Sequence, residues 1–461
     1  MPGPGGAYTA MRAAGGPRTE AAREGAGGMR GRTLVRGTLW LAAGGLALRA
    51  MGVLFQTYLS GKIGAEGMGL MQLVWTVGAF AATLGAAGAR PAALQLMARA
   101  GGAGDRRGVD AALRGCLRYA ALCSAAAGAG LFALSRPIAA VLLGEPRTAS
   151  ALRALGLLLP LPVLSGVMHS CFTACGRVRQ LVAVELLERP VSLVLTFRLL
   201  RFAGSSLERI CPCVVAGTYG ACALSFALLW ILYRRNSPGR SRPALRAAAR
   251  KSLPLAVNDG LRSGLGAVEQ FLIPYGLAKT GSRHEALAAY GTISAMAFPL
   301  IRFPSEIILA LSELTVSETA RLLAKKDRLR LRQLVRKCLV FTAVYAAATA
   351  ALLYALARVL GLGLYGSERA AYYLRLMSPM VLFLYLDAMV DGLQKGMGQQ
   401  LHLVRYNSFT NVIDVLGLWL LLPPFGVAGY LFTYCLSHLV NLFLSLRRLL
   451  IVTERPELCD T

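Results

Sequence analysis

Blocks of about twenty apolar residues recur along this chain, and no other feature so narrows what it can become. Residues 151–174, 214–233 and 339–356 are three such blocks. At about 1.5 Å of helical rise per residue, each is long enough to cross a hydrocarbon core of about 30 Å. A helix in a soluble core seldom stays apolar on every side for so long. Charged residues make up only 16% of the 461, against roughly 25% in soluble domains. The expected fold is therefore all-α and integral to a membrane.

Lys and Arg number 50 against 23 Asp and Glu, a formal charge of +27. Such an excess would suit nucleic acid, but it gathers between the apolar blocks, as in 234–251 and 321–337. That is the pattern of cytoplasmic membrane loops, whose partners are anionic lipids, and no nucleic acid is expected. Most of the ten cysteines lie in or beside apolar blocks and act as small hydrophobes. Cys211 and Cys213 are too close for ordinary disulfide geometry and lack further ligands for zinc.

The blocks resolve into about twelve predicted spans. A first lobe, 33–235, holds 33–59, 68–98, 113–135, 152–175, 181–202 and 211–233. A second, 252–448, holds 252–278, 287–312, 338–360, 371–394, 402–422 and 427–446. A disordered basic tail (1–32), a basic linker (236–251) and a short tail (449–461) complete the expected layout. With the N-terminus inside, segments 1–36, 99–114, 176–180, 234–251, 313–337, 395–401 and 447–461 hold 31 Lys and Arg. The opposite loops (60–67, 135–151, 201–210, 279–286, 361–370 and 423–426) hold 8, so both termini are predicted cytoplasmic.

The chain also repeats itself over roughly eighty residues. Residues 152–235 run through Pro160, Cys175-Gly176, a long span, Gly217 and Gly220, and end at Arg234-Arg235. Residues 374–448 run through Pro379, Gly396 and Gly398, a long span, Gly426 and Gly429, and end at Arg447-Arg448. An even number of spans per half keeps the halves parallel, related by an axis along the membrane normal, with a site between them near the midplane.

Soluble-enzyme signatures are missing. There is no Walker A sequence, and Gly361-Leu362-Gly363-Leu364-Tyr365-Gly366 follows no strand and joins two spans. His169, His284, His402 and His438 show no metal-ligand spacing, and no paired Asp cluster suggests a magnesium-dependent lipid transferase. Neither an enzyme nor a cofactor nor a metal site is expected.

Charges inside the spans carry the function. A mid-bilayer charge costs roughly 2.5–3.5 kcal/mol on insertion scales, so it must face a wet cavity or a partner. Arg198, Arg358, Arg375 and Arg405 lie near span ends and can snorkel, while Asp387 and Asp391 are i,i+4 neighbours of unknown partner. Arg49 lies well inside its span. Glu188 and Arg189 precede Pro190, Arg262 and Glu269 share a face two turns apart, and Arg302 precedes Phe303-Pro304. Arginines projecting from the leading span of each lobe predict a cationic cavity, because guanidinium matches diphosphate geometry in a bidentate manner. Arg49, Arg262 and Arg302 are the candidate substrate ligands; Glu188, Arg189, Asp259 and Glu269 are candidates for gating or charge pairing. Pairing of Arg262 with Glu269 inside the bundle is the competing expectation.

At these residues the chain resembles the stage V sporulation protein B-like polysaccharide-biosynthesis proteins. They belong to the multidrug/oligosaccharidyl-lipid/polysaccharide (MOP) exporter superfamily, which includes lipid II flippases. The resemblance rests on Leu48-Arg49-Ala50-Met51-Gly52, Tyr58-Leu59, Ile63–Leu73, Leu187-Glu188-Arg189, Ser252-Leu253-Pro254-Leu255, Ala289-Tyr290-Gly291, Phe303-Pro304-Ser305 and 392–398. It implies a V-shaped, MATE-like fold of two parallel six-helix lobes that flips undecaprenyl-diphosphate-linked saccharides by alternating access. Arg49 matches a family arginine of the first span. The family often has a second arginine where this chain has Gln56, which adds Gln56 to the substrate ligands. Arg90 before Pro91 is a further departure.

The expected protein is a flippase in a bacterial cytoplasmic membrane, moving a lipid-linked peptidoglycan precursor or polysaccharide unit as a monomer. The membrane potential or a coupled ion, H+ or Na+, would drive it, at about 2.3 kcal/mol per charge per 100 mV. Its rivals are a MATE-type multidrug or cation antiporter, which calls for a more acidic cavity, and a non-transporting envelope or sporulation scaffold.

Overall fold

A computed structural model describes residues 18–102, 105–204, 206–235, 243–279, 282–324 and 327–454, and all regular structure among them is helical. In chain order come α1 (Arg18–Ala86), α2 (Ala89–Gly102), α3 (Arg106–Ala133), the short turn α4 (Ser135–Pro137), α5 (Ala149–Leu158), α6 (Pro160–Ala174), α7 (Val178–Ala203) and α8 (Leu207–Arg234). The second half has α9 (Leu245–Leu277), α10 (Arg283–Gly291), α11 (Phe298–Arg302), α12 (Ser305–Ala324), α13 (Arg328–Tyr365), α14 (Glu368–Met377), α15 (Met380–Gly396) and α16 (Gln400–Glu454).

Among the described residues, 5 helices are long and apolar enough to cross a membrane, and up to 8 if each bent pair is one span. α16 contains two of the expected spans, and α1 contains one and the start of another that continues into α2; Gly64 (φ 69°) and Gly426 (φ 56°) break helical geometry inside them. Only glycine takes such positive φ without strain. α7 and α9 are not among those apolar helices, their hydropathy being diluted by internal charges such as Glu188, Arg189, Asp259 and Arg262.

The two repeat landmarks Pro160 and Pro379 fall at matching bends. α5 meets α6 at 43°, and α14 meets α15 at 54°. Proline at the start of a helix needs no N–H partner, so each bend leaves little backbone unsatisfied. α13 shows the inverted amphipathy of a lipid-facing helix. Its inner stripe is small or polar (Thr342, Ala346, Thr349, Ala357, Gly361), while Val344, Leu352 and Val359 stand more than half exposed outside.

Two expectations need correction. Residues 18–32, expected to be disordered, are the first turns of α1: Arg, Glu and Ala are good helix formers, and extending an existing helix avoids a new nucleus. Residues 1–17 lie outside the described part. The linker is likewise shorter than expected, since α9 already begins at Leu245. Residues 236–242 and 455–461 lie outside the described part. Gly366 behaves as expected, a left-handed cap (φ 59°) closing α13.

The halves meet in two places. Near Glu66 and His284, α1 crosses α10 so closely that a Cβ on Gly69 would stand 2.3 Å from the Leu287 carbonyl oxygen. Glu66 accepts from His284 at 2.7 Å, and Arg283 donates to the Leu143 carbonyl at 2.6 Å. At the opposite, basic end, the start of α9 lies on the first half. Ala244 N–H donates to the Ala111 carbonyl at 3.0 Å, and Gly88 of the α1–α2 break abuts Ser252.

Candidate substrate cavity

Between those two contacts the halves enclose a cavity of about 650 Å³. The first half contributes Arg49, Gln56 and Gln72 from α1 and Arg189 from α7; the second contributes Arg302 and Glu306. Hydroxyls from Ser192, Thr196, Thr218 and Ser294 line the rest. Ser294 sits in a wide π turn (Thr292–Ala297) between α10 and α11, an irregularity tolerated at membrane depth where it borders a cavity.

Arg49 does not stand free. Its Nε is ion-paired with Glu306 of α12, across the two halves, with 39% of the arginine side chain and 19% of the glutamate exposed. Arg302 stacks its guanidinium over Phe298, 5.6 Å from the ring centroid. Neither Arg189 nor Arg302 has an ion-pair partner among the described residues. With three arginines against one glutamate, the wall carries a surplus of positive charge.

The structure thus brings together Arg49, Gln56 and Arg302 of the expected ligands, and adds Arg189, expected only as a pairing residue. Arg262 is placed elsewhere. It lines a second cavity with Asp259 and Arg90, and no ion pair joins it to Glu269 among the described residues. Glu188 accepts from the Cys222 thiol at 3.5 Å. Pro190 does not interrupt α7.

A polar cluster inside the second half was only partly legible. Asp387, of unknown partner in the sequence, is 7% exposed and accepts from His438 Nδ1 at 2.7 Å. Asp414 accepts from Ser437 at 2.8 Å, and Glu269 lies within electrostatic reach of Asp414 and His438. One oxygen each of Asp387, Asp391 and Asn441 is buried with no hydrogen-bond partner. Among the described residues, no three Asp, Glu, His or Cys side chains converge to hold a metal ion. The signal that could have found it was His438, which has no metal-like spacing to any other histidine but meets Asp387 from α16.

Helices long and apolar enough to cross a membrane, in two halves that share the Arg49–Arg302 cavity, define a multi-pass helical membrane protein. The polysaccharide biosynthesis protein family matches residues 34–293, and the chain belongs to it. It is 24% identical over 419 residues to stage V sporulation protein B of Bacillus subtilis (strain 168), covering 86% of this chain and 80% of that protein. Among solved structures, an inward-facing multidrug resistance MATE family transporter superposes with a TM-score of 0.72 at 14% identity, covering 88% of this chain and 96% of that one. A MOP transporter from Pyrococcus furiosus, described as having a binding pocket of reverse polarity that suggests a different function, gives 0.62 at 14% identity over 91% and 96%.

Proposed function

We propose that this protein flips a polyprenyl-diphosphate-linked saccharide to the outer leaflet of the cytoplasmic membrane by alternating access. The observation that carries this is the cavity's charge: Arg49, Arg189 and Arg302 against Glu306 alone. A diphosphate carries two or more negative charges and accepts bidentate guanidinium bonds, whereas a cationic drug would be repelled. The hydroxyls and the two glutamines offer hydrogen bonds to sugar, and the volume falls in the usual range for ligand sites.

The Arg49–Glu306 pair supplies a means of gating. An incoming diphosphate competes with Glu306 for Arg49, and releasing that pair removes an ionic contact between the lobes. A coupled cation, H+ or Na+, is assigned to the carboxylates around His438 in the second lobe. The basic segments, and with them both termini, face the cytoplasm.

The test is reconstitution with fluorescent lipid-linked disaccharide and monosaccharide. Flipping is expected in wild type, loss in Arg302→Ala, and partial activity in Arg49→Lys, which keeps the charge and loses the fork. Full activity in Arg49→Ala, Arg189→Ala and Arg302→Ala alike would leave the cation-exporter reading ahead.

A further inference from the structure

The second charged cavity, of about 580 Å³, has no role in the account above. It forms where α1 ends. Ala87 (φ 43°) and Gly88 (φ 71°) both take left-handed backbone, which costs a non-glycine residue about 1–2 kcal/mol. The break is held against α9, for a Cβ on Gly88 would stand 2.3 Å from the Ser252 carbonyl oxygen. It redirects the chain so that α2 carries Arg90 across the cavity. There Gly166 makes room for the guanidinium, since a Cβ at that position would lie 2.2 Å from Arg90 Nε. Arg90 Nη2 donates to the Pro162 carbonyl at 3.1 Å, which fixes the fork. From the facing wall α9 presents Asp259 and Arg262, one turn apart, with Ser263 beside them. No ion pair engages Arg90, Asp259 or Arg262 among the described residues.

The two cavities are aligned. Gln72 lines the central one, and Ala79 and Thr83 line this one, at i, i+7 and i+11 on a single stripe of α1. Along that stripe they are separated by roughly 10–16 Å, at 1.5 Å per residue. The second cavity lies nearer the basic end, where α9 begins. Its wall has two arginines and one aspartate, a smaller positive surplus than the central three arginines and one glutamate.

We propose that the Arg90–Arg262 cavity is a separate loading site for a phosphate-ester anion, which takes the diphosphate head of the substrate before the central arginines do. This rests on the flippase reading for the identity of the occupant. The weaker positive surplus makes the site a staging post: the anion gains Coulomb energy by moving on to Arg49, Arg189 and Arg302. Asp259, one turn from Arg262, offers the competing carboxylate that lets the head group leave.

The full-length protein in zwitterionic nanodiscs is titrated calorimetrically with farnesyl diphosphate, and separately with inorganic pyrophosphate. Two equivalents of farnesyl diphosphate per chain are expected in wild type. Arg90→Gln/Arg262→Gln and Arg49→Gln/Arg302→Gln should each leave one, while Arg332→Gln, an exposed cytoplasmic-end control, should leave two. Should the first double variant fail to assemble, Arg262→Lys is expected to weaken one of the two equivalents about tenfold, for the lost fork. A single wild-type equivalent, lost only with Arg49 and Arg302, overturns the loading site and spares the central one. A single equivalent lost only with Arg90 and Arg262 keeps the loading site and sinks the central reading. Pyrophosphate binding as tightly as the lipid probe at the Arg90–Arg262 site overturns the substrate head group as occupant in favour of a free anion.

Discussion

The two lobes share a plan and differ in the charge they turn inward. The first turns arginines inward (Arg49, Arg90 and Arg189), and the acids of α7 are engaged, Glu188 by the Cys222 thiol and Glu185 by His169. The second buries acids, Glu269, Asp387, Asp391 and Asp414, around His438. Matching bends at Pro160 and Pro379 show that the backbone repeat survived while the interior chemistry diverged. The contrast teaches a division of labour. If the protein works as proposed, one lobe, with Arg302 of the other, presents charge to an anion at the interface, and the second lobe keeps its acidic interior for the coupled cation. Under an inside-negative potential an anion moves outward downhill, at about 2.3 kcal/mol per charge per 100 mV. On the proposed function, the acidic lobe then serves the return stroke.

Reversing the interface charge should break this comparison most severely. Arg302→Glu places a carboxylate opposite Arg49 and beside Glu306, converting the cavity wall from net positive to neutral. Flipping of lipid-linked saccharide in proteoliposomes is expected to fall by roughly a hundredfold or more, since truncating one partner of a desolvated charge pair typically costs 2–5 kcal/mol. Unchanged thermal unfolding would assign the loss to binding. If transport persisted within a few-fold, the division of labour would fail at its first step.

Next in size is the seam that closes the lobes where α1 crosses α10. Gly291 lies so close to α1 that a Cβ there would stand 2.1 Å from the Ala65 carbonyl oxygen, against rigid backbone. Gly291→Ala should therefore cost the closed seam roughly 1–3 kcal/mol, the usual range for overpacking, and raise the population of the opened seam about tenfold. Spin labels at Lys62 and Glu285 would read it as a longer distance.

In the acidic lobe, Asp387→Asn keeps the shape and removes the charge that faces His438. Transport driven by an imposed ion gradient should drop about tenfold, while downhill binding of substrate at the interface stays within twofold. Loss of substrate binding with the gradient response intact would reverse the roles assigned to the two lobes.

How much of this was open to the sequence follows from the range of each interaction. Span positions were legible because hydropathy and length are local, and Pro160, Pro379, Gly64 and Gly426 mark bends by their own backbone chemistry. Arg49, Gln56 and Arg302 could be grouped because each occupies a leading span or a familiar motif. Partners could not be assigned. Arg49–Glu306 joins residues 257 positions apart, and Asp387–His438 joins two helices, so only the packed fold decides them. For Arg262 the sequence left one question open: facing inward along a helix does not decide which of two cavities, stacked on one stripe of α1, the side chain meets.

The smallest effect belongs to the most conspicuous contact on that seam. His284 and Glu66 meet at 2.7 Å, but their side chains are 77% and 40% exposed. An ion pair so open to solvent is worth about 0–1 kcal/mol, because water screens it and two mobile side chains must be ordered to form it. The backbone crossing of Gly69 and Gly291 has no such solvent competitor. His284→Ala should accordingly shift the seam population by no more than about fivefold, measured with the same spin labels, and leave flipping within about twofold. Arg283, which donates to the Leu143 carbonyl in a half-buried setting, should matter more than His284. If His284→Ala opened the seam as far as Gly291→Ala does, the lobes would be held by charge at that end and not by close packing, and the contrast between a packed seam and a charged interior would have to be redrawn.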